Sequence, residues 1–139
     1  MPTSFPVVID GESMNATGVP SAIAAELDSI WVSDTRNGVV YRLDPQTCRT
    51  LATIPIGGHS PEGHGGIAEL DGSIWVTSPG TNAIVRIDPD TNTVIGSIPV
   101  PYPPSGLVAA DGSLWVTLNP NMSSDEETPR SPFRGSTCG

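Results

Sequence analysis

Hydrophobic and polar residues alternate along this chain in short runs, and the runs recur in a fixed order. Ser29-Ile30-Trp31-Val32-Ser33 returns as Ser73-Ile74-Trp75-Val76-Thr77 and again as Ser113-Leu114-Trp115-Val116-Thr117. Sliding residues 29–56 onto 73–100 without gaps gives ten identities in 28 positions. Arg42-Leu43-Asp44-Pro45 falls on Arg86-Ile87-Asp88-Pro89, and Ile54-Pro55-Ile56 on Ile98-Pro99-Val100. Pro20-Ser21-Ala22-Ile23 and Pro104-Ser105-Gly106-Leu107 each begin eleven residues before their Trp. In the middle copy Pro61 stands fourteen residues before Trp75, so that copy carries a three-residue insertion, placed at Gly63-His64-Gly65. A period of this length marks stacked supersecondary units that bury their apolar faces against one another.

Each unit divides into four runs with β character. In the second copy these are residues 66–70, 73–77, 83–87 and 93–100. Asp71-Gly72 between the first two is a two-residue hairpin signal. Asp88-Pro89-Asp90-Thr91-Asn92 between the last two is turn chemistry, because Pro presets φ and Asp or Asn bonds back to the backbone. The third run sets Ile84 and Arg86 against Val85 and Ile87, the period-two pattern of a strand with unlike faces. No stretch shows convincing helical spacing. The pattern predicts an all-β chain, a partial β-propeller of four-stranded antiparallel blades. Small apolar first strands at residues 23–25, 66–68 and 107–109 suit crowding around a central channel. Trp31, Trp75 and Trp115 are assigned to the space between blade faces.

The predicted organisation is a strand and linker at 1–17, blades at 18–57 and 58–100, a partial blade at 101–120 and a polar, disordered tail at 121–139. A lone strand at 5–10 is the outer strand of a preceding blade. That makes eleven strands, fewer than three blades, where a closed propeller typically has about four to eight blades. The strand at 113–117 then presents an open edge, a template for pairing. Self-association, or docking of a complementary propeller segment, is the expected partnership.

The residues that carry the pattern also carry a resemblance. Gly72 to Thr77, Asn82 to Thr91 and Ile98-Pro99-Val100 resemble the YVTN-type propeller repeat. They are similar to repeats of NHL propellers and of the streptogramin (virginiamycin B) lyase-like propellers. The resemblance spans roughly residues 18–117. It implies blade architecture strongly and activity weakly, because one blade pattern hosts many functions. Streptogramin lyases use His and Glu with a magnesium ion to break an ester by elimination, drawing residues from several blades. Only His59, Glu62 and His64 offer themselves for such roles here, and all three lie on one loop. The catalytic positions of that family are not matched residue by residue.

Charge narrows the field. The chain has six basic and fifteen acidic residues, a net charge of −9, and every basic residue is Arg. Such a chain is ill-suited to nucleic acid, where phosphate neutralisation dominates affinity, and to anionic membrane surfaces. No run approaches the ~18 apolar residues of a membrane helix. Residues 1–6 lack the pattern of a signal peptide. The default expectation is therefore cytoplasmic, although propellers of the resembled type are often exported. Cys48 and Cys138 have no metal-ligand spacing and read as incidental thiols, with their pairing left open. The sequons at Asn15 and Asn121 read as chance matches.

Candidate chemistry gathers on the loops at one face. The glycine-rich segment 57–66 holds both histidines, His59 and His64, with Glu62 between them. Imidazoles and a carboxylate could take a divalent metal such as magnesium, or supply a general base. No other cofactor is expected. The plainer reading is a flexible, solvated inter-blade loop. Asp34, Arg36, Asn37 and Asn82 are candidate ligand-binding residues on neighbouring turns. Asp44 and Asp88 read as turn-closing. Arg42 and Arg86 read as packing a stem on the next sheet or pairing with a carboxylate. The function expected is a non-enzymatic binding or scaffold module. The alternatives are a lyase-like or hydrolase-like fragment using His59, Glu62 and His64, and a non-functional truncation.

Overall fold

A computed structural model of the chain describes residues 18–60 and 64–120. The expected strand at 5–10, Glu62, Cys138 and the tail lie outside the described residues. Ten strands are present among the described residues, with no α-helix. They are β1 (Pro20–Glu26), β2 (Ser29–Asp34), β3 (Val39–Leu43), β4 (Thr50–Pro55), β5 (Ile67–Leu70), β6 (Ser73–Ser78), β7 (Ala83–Asp88), β8 (Thr93–Pro99), β9 (Pro104–Ala110) and β10 (Ser113–Leu118). They form two four-stranded antiparallel sheets, β1-β2-β3-β4 and β5-β6-β7-β8, and a two-stranded sheet of β9 and β10. These are two blades and the inner half of a third. β1, β5 and β9 run beside one another, as first strands around a channel do.

The hairpins follow the turn residues. Asp71 and Gly72 have φ of 55° and 80°, and Asp111 and Gly112 have 54° and 74°. Positive φ at both central residues is the twist-matched hairpin turn. The first blade makes the same turn with Leu27 and Asp28, at 52° and 62°. Leu has no local hydrogen bond to offset that conformation, so this copy carries strain its siblings avoid. At the outer turns, Asp44 accepts from the Gln46 N–H at 2.8 Å and Asp88 from the Asp90 N–H at 2.9 Å. Both aspartates close their turns.

Register sorts each blade into two faces. Trp31 stands opposite Arg42, and Val40 opposite Ile54, on one face of the first blade. That face packs on Ile74, Val76, Val85 and Ile87 of the second blade, with Ile67 at its margin. Trp31, Ile74 and Val76 are completely buried. The Trp75 face of the second blade meets Leu107, Ala109, Leu114 and Val116 of the third in the same way. The second and third blades approach closely at Gly66. A β-carbon there would lie 2.5 Å from the Leu107 nitrogen, so a side chain would push the third blade away.

The three Trp residues share a sequence context but not an environment. Trp31 is fully buried, Trp75 partly, and Trp115 is 46% exposed. The expectation that each ring fills an inter-blade space is met by Trp31 and only partly by Trp75. Trp115 faces outward because no described blade follows it.

Two arginines explain part of this order. Arg42 lies over the Trp31 ring at 4.7 Å and Arg86 over Trp75 at 5.4 Å. Each Nε donates to the Ser that opens its second strand, Ser29 or Ser73, at 2.8 Å. Arg42 Nη1 also reaches the outer turn of the second blade, donating to the Pro89 carbonyl at 2.7 Å and Asn92 Oδ1 at 2.8 Å. Neither arginine pairs with a carboxylate among these contacts. Their partners are neutral oxygens and an indole face, which Arg can engage together because its guanidinium is planar and forked.

Candidate functional site

The candidate residues meet at one end of the blades, where the β2–β3 turn, the β6–β7 turn and segment 57–60 converge. Residues 57–60 are hydrogen-bonded on both sides. The Ile56 and Gly57 N–H groups donate to the Gly38 carbonyl at 2.8 and 3.2 Å, and the Ser60 N–H donates to Thr35 at 2.9 Å. On its other side, the Ser78 hydroxyl donates to the Gly57 carbonyl at 3.4 Å and receives a 2.8 Å bond from the Thr81 hydroxyl. Gly80 leaves the space this requires, since a β-carbon there would come within 2.6 Å of the His59 nitrogen.

His59 is exposed, with its ring fixed by a 2.9 Å contact between Nδ1 and the Arg36 carbonyl. A carbonyl can only accept, so Nδ1 carries the hydrogen. In the neutral ring Nε2 then holds the lone pair. Tautomer control by a backbone carbonyl is how imidazoles are prepared as bases or ligands. His64 is also exposed. Among the described residues no three His, Cys, Asp or Glu side chains come together as a metal site. The donor set also fits magnesium poorly, because that ion selects oxygen ligands and the histidines offer nitrogen. No step is assigned to a metal here.

Asp34 sits elsewhere than a surface ligand would. It is fully buried. Its carboxylate accepts from the Val19 N–H at 3.0 Å, the Asn37 N–H at 3.1 Å and the Asn37 side-chain amide at 2.8 Å. Burial and then the Asp34 charge and hydrogen bond push the Tyr41 hydroxyl above its ordinary pKa. Asp34 and Asn37 therefore shape the turn. Arg36, whose backbone carbonyl holds His59, and Asn82 remain exposed.

Sequence reasoning missed the hydroxyl after each Trp-Val pair. Thr77 Oγ1 accepts from the Gly66 N–H, and Thr117 Oγ1 from the Gly106 N–H, both at 2.8 Å. These bonds tie the start of the first strand to the second strand in the second and third blades, whereas the buried Ser33 hydroxyl at the equivalent place in the first blade has no such partner among the described residues. The recurrence of Ser or Thr at positions 33, 77 and 117 was the available signal. A shallow hollow lined by Glu26, Leu27, Asp28, Ser29 and Pro45 lies at the other end of the first blade, away from these loops.

The sequence matches no protein-family model and no curated protein. Its fold is matched among solved structures. Hydrazine synthase of Kuenenia stuttgartiensis superposes with a TM-score of 0.62 and 19% identity, over 73% of this chain and 29% of that one. A catalytically inactive virginiamycin B lyase from Staphylococcus aureus, with quinupristin, gives 0.58 and 22% over 71% and 34%. The Neurospora crassa Pan2 WD40 domain gives 0.59 and 13% over 73% and 30%. The chain is a β-propeller module spanning about a third of the length of each. No described helix is long and apolar enough to cross a membrane.

Proposed function

We propose that the chain is a propeller segment that acts as a binding module through the loop face of residues 34–38, 57–60 and 78–82. The supporting observation is that these three loops are hydrogen-bonded to one another while Arg36, His59 and Asn82 stay exposed. Side chains held on a fixed backbone lose less entropy on binding. An exposed guanidinium, imidazole and amide on one loop face suit a ligand bearing a carboxylate. Backbone amide NMR during titration with small carboxylates and an acidic peptide tests this. Shifts should concentrate in the three loops and vanish in Arg36→Ala with His59→Ala. Shifts confined to the hollow near Leu27, or none with any probe, overturn it.

A second reading is a lyase-like role, favoured by the fixed tautomer of His59. Nε2 would take a proton from the carbon next to the one bearing an ester oxygen. Those electrons form the double bond as the C–O bond breaks and a carboxylate leaves. Ring opening of quinupristin that disappears in His59→Ala would support this reading. No turnover by the wild-type chain would remove it.

A further inference from the structure

We propose that the hollow at the other end of the first blade is a second binding site, which takes the lysine side chain of a basic partner peptide. The hollow has a volume of about 310 Å³ and is walled by the β1–β2 turn and by Pro45 of the β3–β4 turn. That volume is at the lower end of small-ligand clefts, about 300–1,000 Å³, and suits a single side chain. Its walls are where the first repeat departs from its siblings. The second and third copies read Leu70-Asp71-Gly72 and Ala110-Asp111-Gly112 at this turn, and the first reads Glu26-Leu27-Asp28. One residue earlier, Glu69 of the second copy reaches over its turn and accepts from the Gly72 N–H at 2.8 Å, where the first copy has the short Ala25. Leu27 is 40% exposed at a φ of 52°, a left-handed conformation that the Asp of its siblings adopts at less cost. An exposed leucine in that conformation does nothing for folding, and backbone outliers of this kind cluster at ligand contacts.

The lining joins apolar surface from Leu27, Ile30 and Pro45 to the carboxylates of Glu26 and Asp28. Among the described residues neither carboxylate has a hydrogen-bond or ion-pair partner. Arg42 does not neutralise them, because its guanidinium is engaged by the Ser29 hydroxyl, the Trp31 ring and the outer turn of the second blade. The whole chain carries a net charge of −9, so its field draws cations. The occupant follows from this chemistry. A lysine lays its alkyl stem along apolar surface and leads with a compact ammonium whose three donors serve separate carboxylates. Arginine favours one bidentate carboxylate or an aromatic face, and no aromatic ring lines the hollow. The chain contains no lysine, so the occupant belongs to a different molecule and not to another copy. The site is separate from the loop face of residues 34–38, 57–60 and 78–82, and it selects the opposite charge.

Backbone amide NMR of the full chain, titrated with the capped peptide acetyl-Gly-Lys-Gly-amide, tests the site. Shifts should gather at residues 25–30 and at Gln46, and should spare residues 57–60. Norleucine or arginine in place of the peptide's lysine should weaken binding. Glu26→Gln combined with Asp28→Asn should weaken it by about fivefold, the scale of two exposed ion pairs, and raised salt should weaken wild-type binding in the same direction. Leu27→Asn keeps both carboxylates but removes apolar wall, and should also weaken binding. Leu27 and Asp28 are exposed and Glu26 is half-buried, so strand content by circular dichroism should persist in both variants. No shifts at residues 25–30, norleucine or arginine peptides that bind as well as the lysine peptide, or an affinity unchanged in either variant would each overturn the proposal.

Discussion

Replacing Trp31 by Ala should destabilise the chain far more than replacing Trp115, although the two lie in near-identical sequence. Trp31 is fully enclosed, its indole N–H donates to the Glu26 carbonyl at 3.0 Å, and Arg42 lies on its face at 4.7 Å. Truncating a buried Trp costs about 3–5 kcal/mol. Loss of the ring beneath Arg42 adds about 0.5–1 kcal/mol. Trp115 also bonds a carbonyl, that of Ala110 at 3.2 Å, but is 46% exposed. About half of the 1.5–3 kcal/mol for burying a large side chain is at stake there, roughly 1 kcal/mol. Trp75 should fall between them. Urea unfolding of the three Ala variants, followed by circular dichroism, measures the series in dilute solution. A Trp31 variant no less stable than the Trp115 variant in dilute solution would refute the assignment of Trp31 to a closed junction.

Arg42→Gln should cost about 1.5–3 kcal/mol, the range for hydrogen bonds to a charged group, and Arg86→Gln distinctly less; equal losses in urea unfolding would deny Arg42 its reach to the second blade. Because Tyr41 has a raised pKa in the folded chain, its ionisation disfavours folding: stability should be intact below pH ~10 and fall as pH rises past it. Urea midpoints from pH 8 to 11 should show this fall blunted in Tyr41→Phe, and identical profiles would contradict it. Leu27→Asn relieves a left-handed Leu and should raise stability by about 1 kcal/mol; an unchanged urea midpoint would mean the turn is unstrained.

The strands could be read from the sequence because their determinants are local. Alternation such as Ile84-Val85-Arg86-Ile87 and the Asp71-Gly72 turn act within a few residues, and the second copy's strands fall within one residue of their predicted bounds. Burial could not be read in the same way. Ser-Ile-Trp-Val around Trp31 and Trp75 is one sequence, and the difference in exposure comes from the blade that follows. The contact of Arg42 with Asn92 spans 50 residues, so no local pattern announces it. Asp34 misled for a related reason. A carboxylate in a turn is ordinarily solvated, but here the Val19 and Asn37 donors make its burial tolerable.

The reach of Arg42 to the outer turn has a mechanical meaning. The first and second blades are fastened at two radii, near the channel by Ile67 and at the rim by the arginine. Two plates fixed at two radii resist rocking. Between the second and third, among the described residues, Arg86 has no rim contact of that kind and Ile98 is 43% exposed where Ile54 is 1%. Among the described residues the first joint is therefore the stiffer of the two. Angular motion within a single molecule should concentrate about the close approach of Gly66 to Leu107, turning β9 and β10 as a flap while the first two blades move as one body.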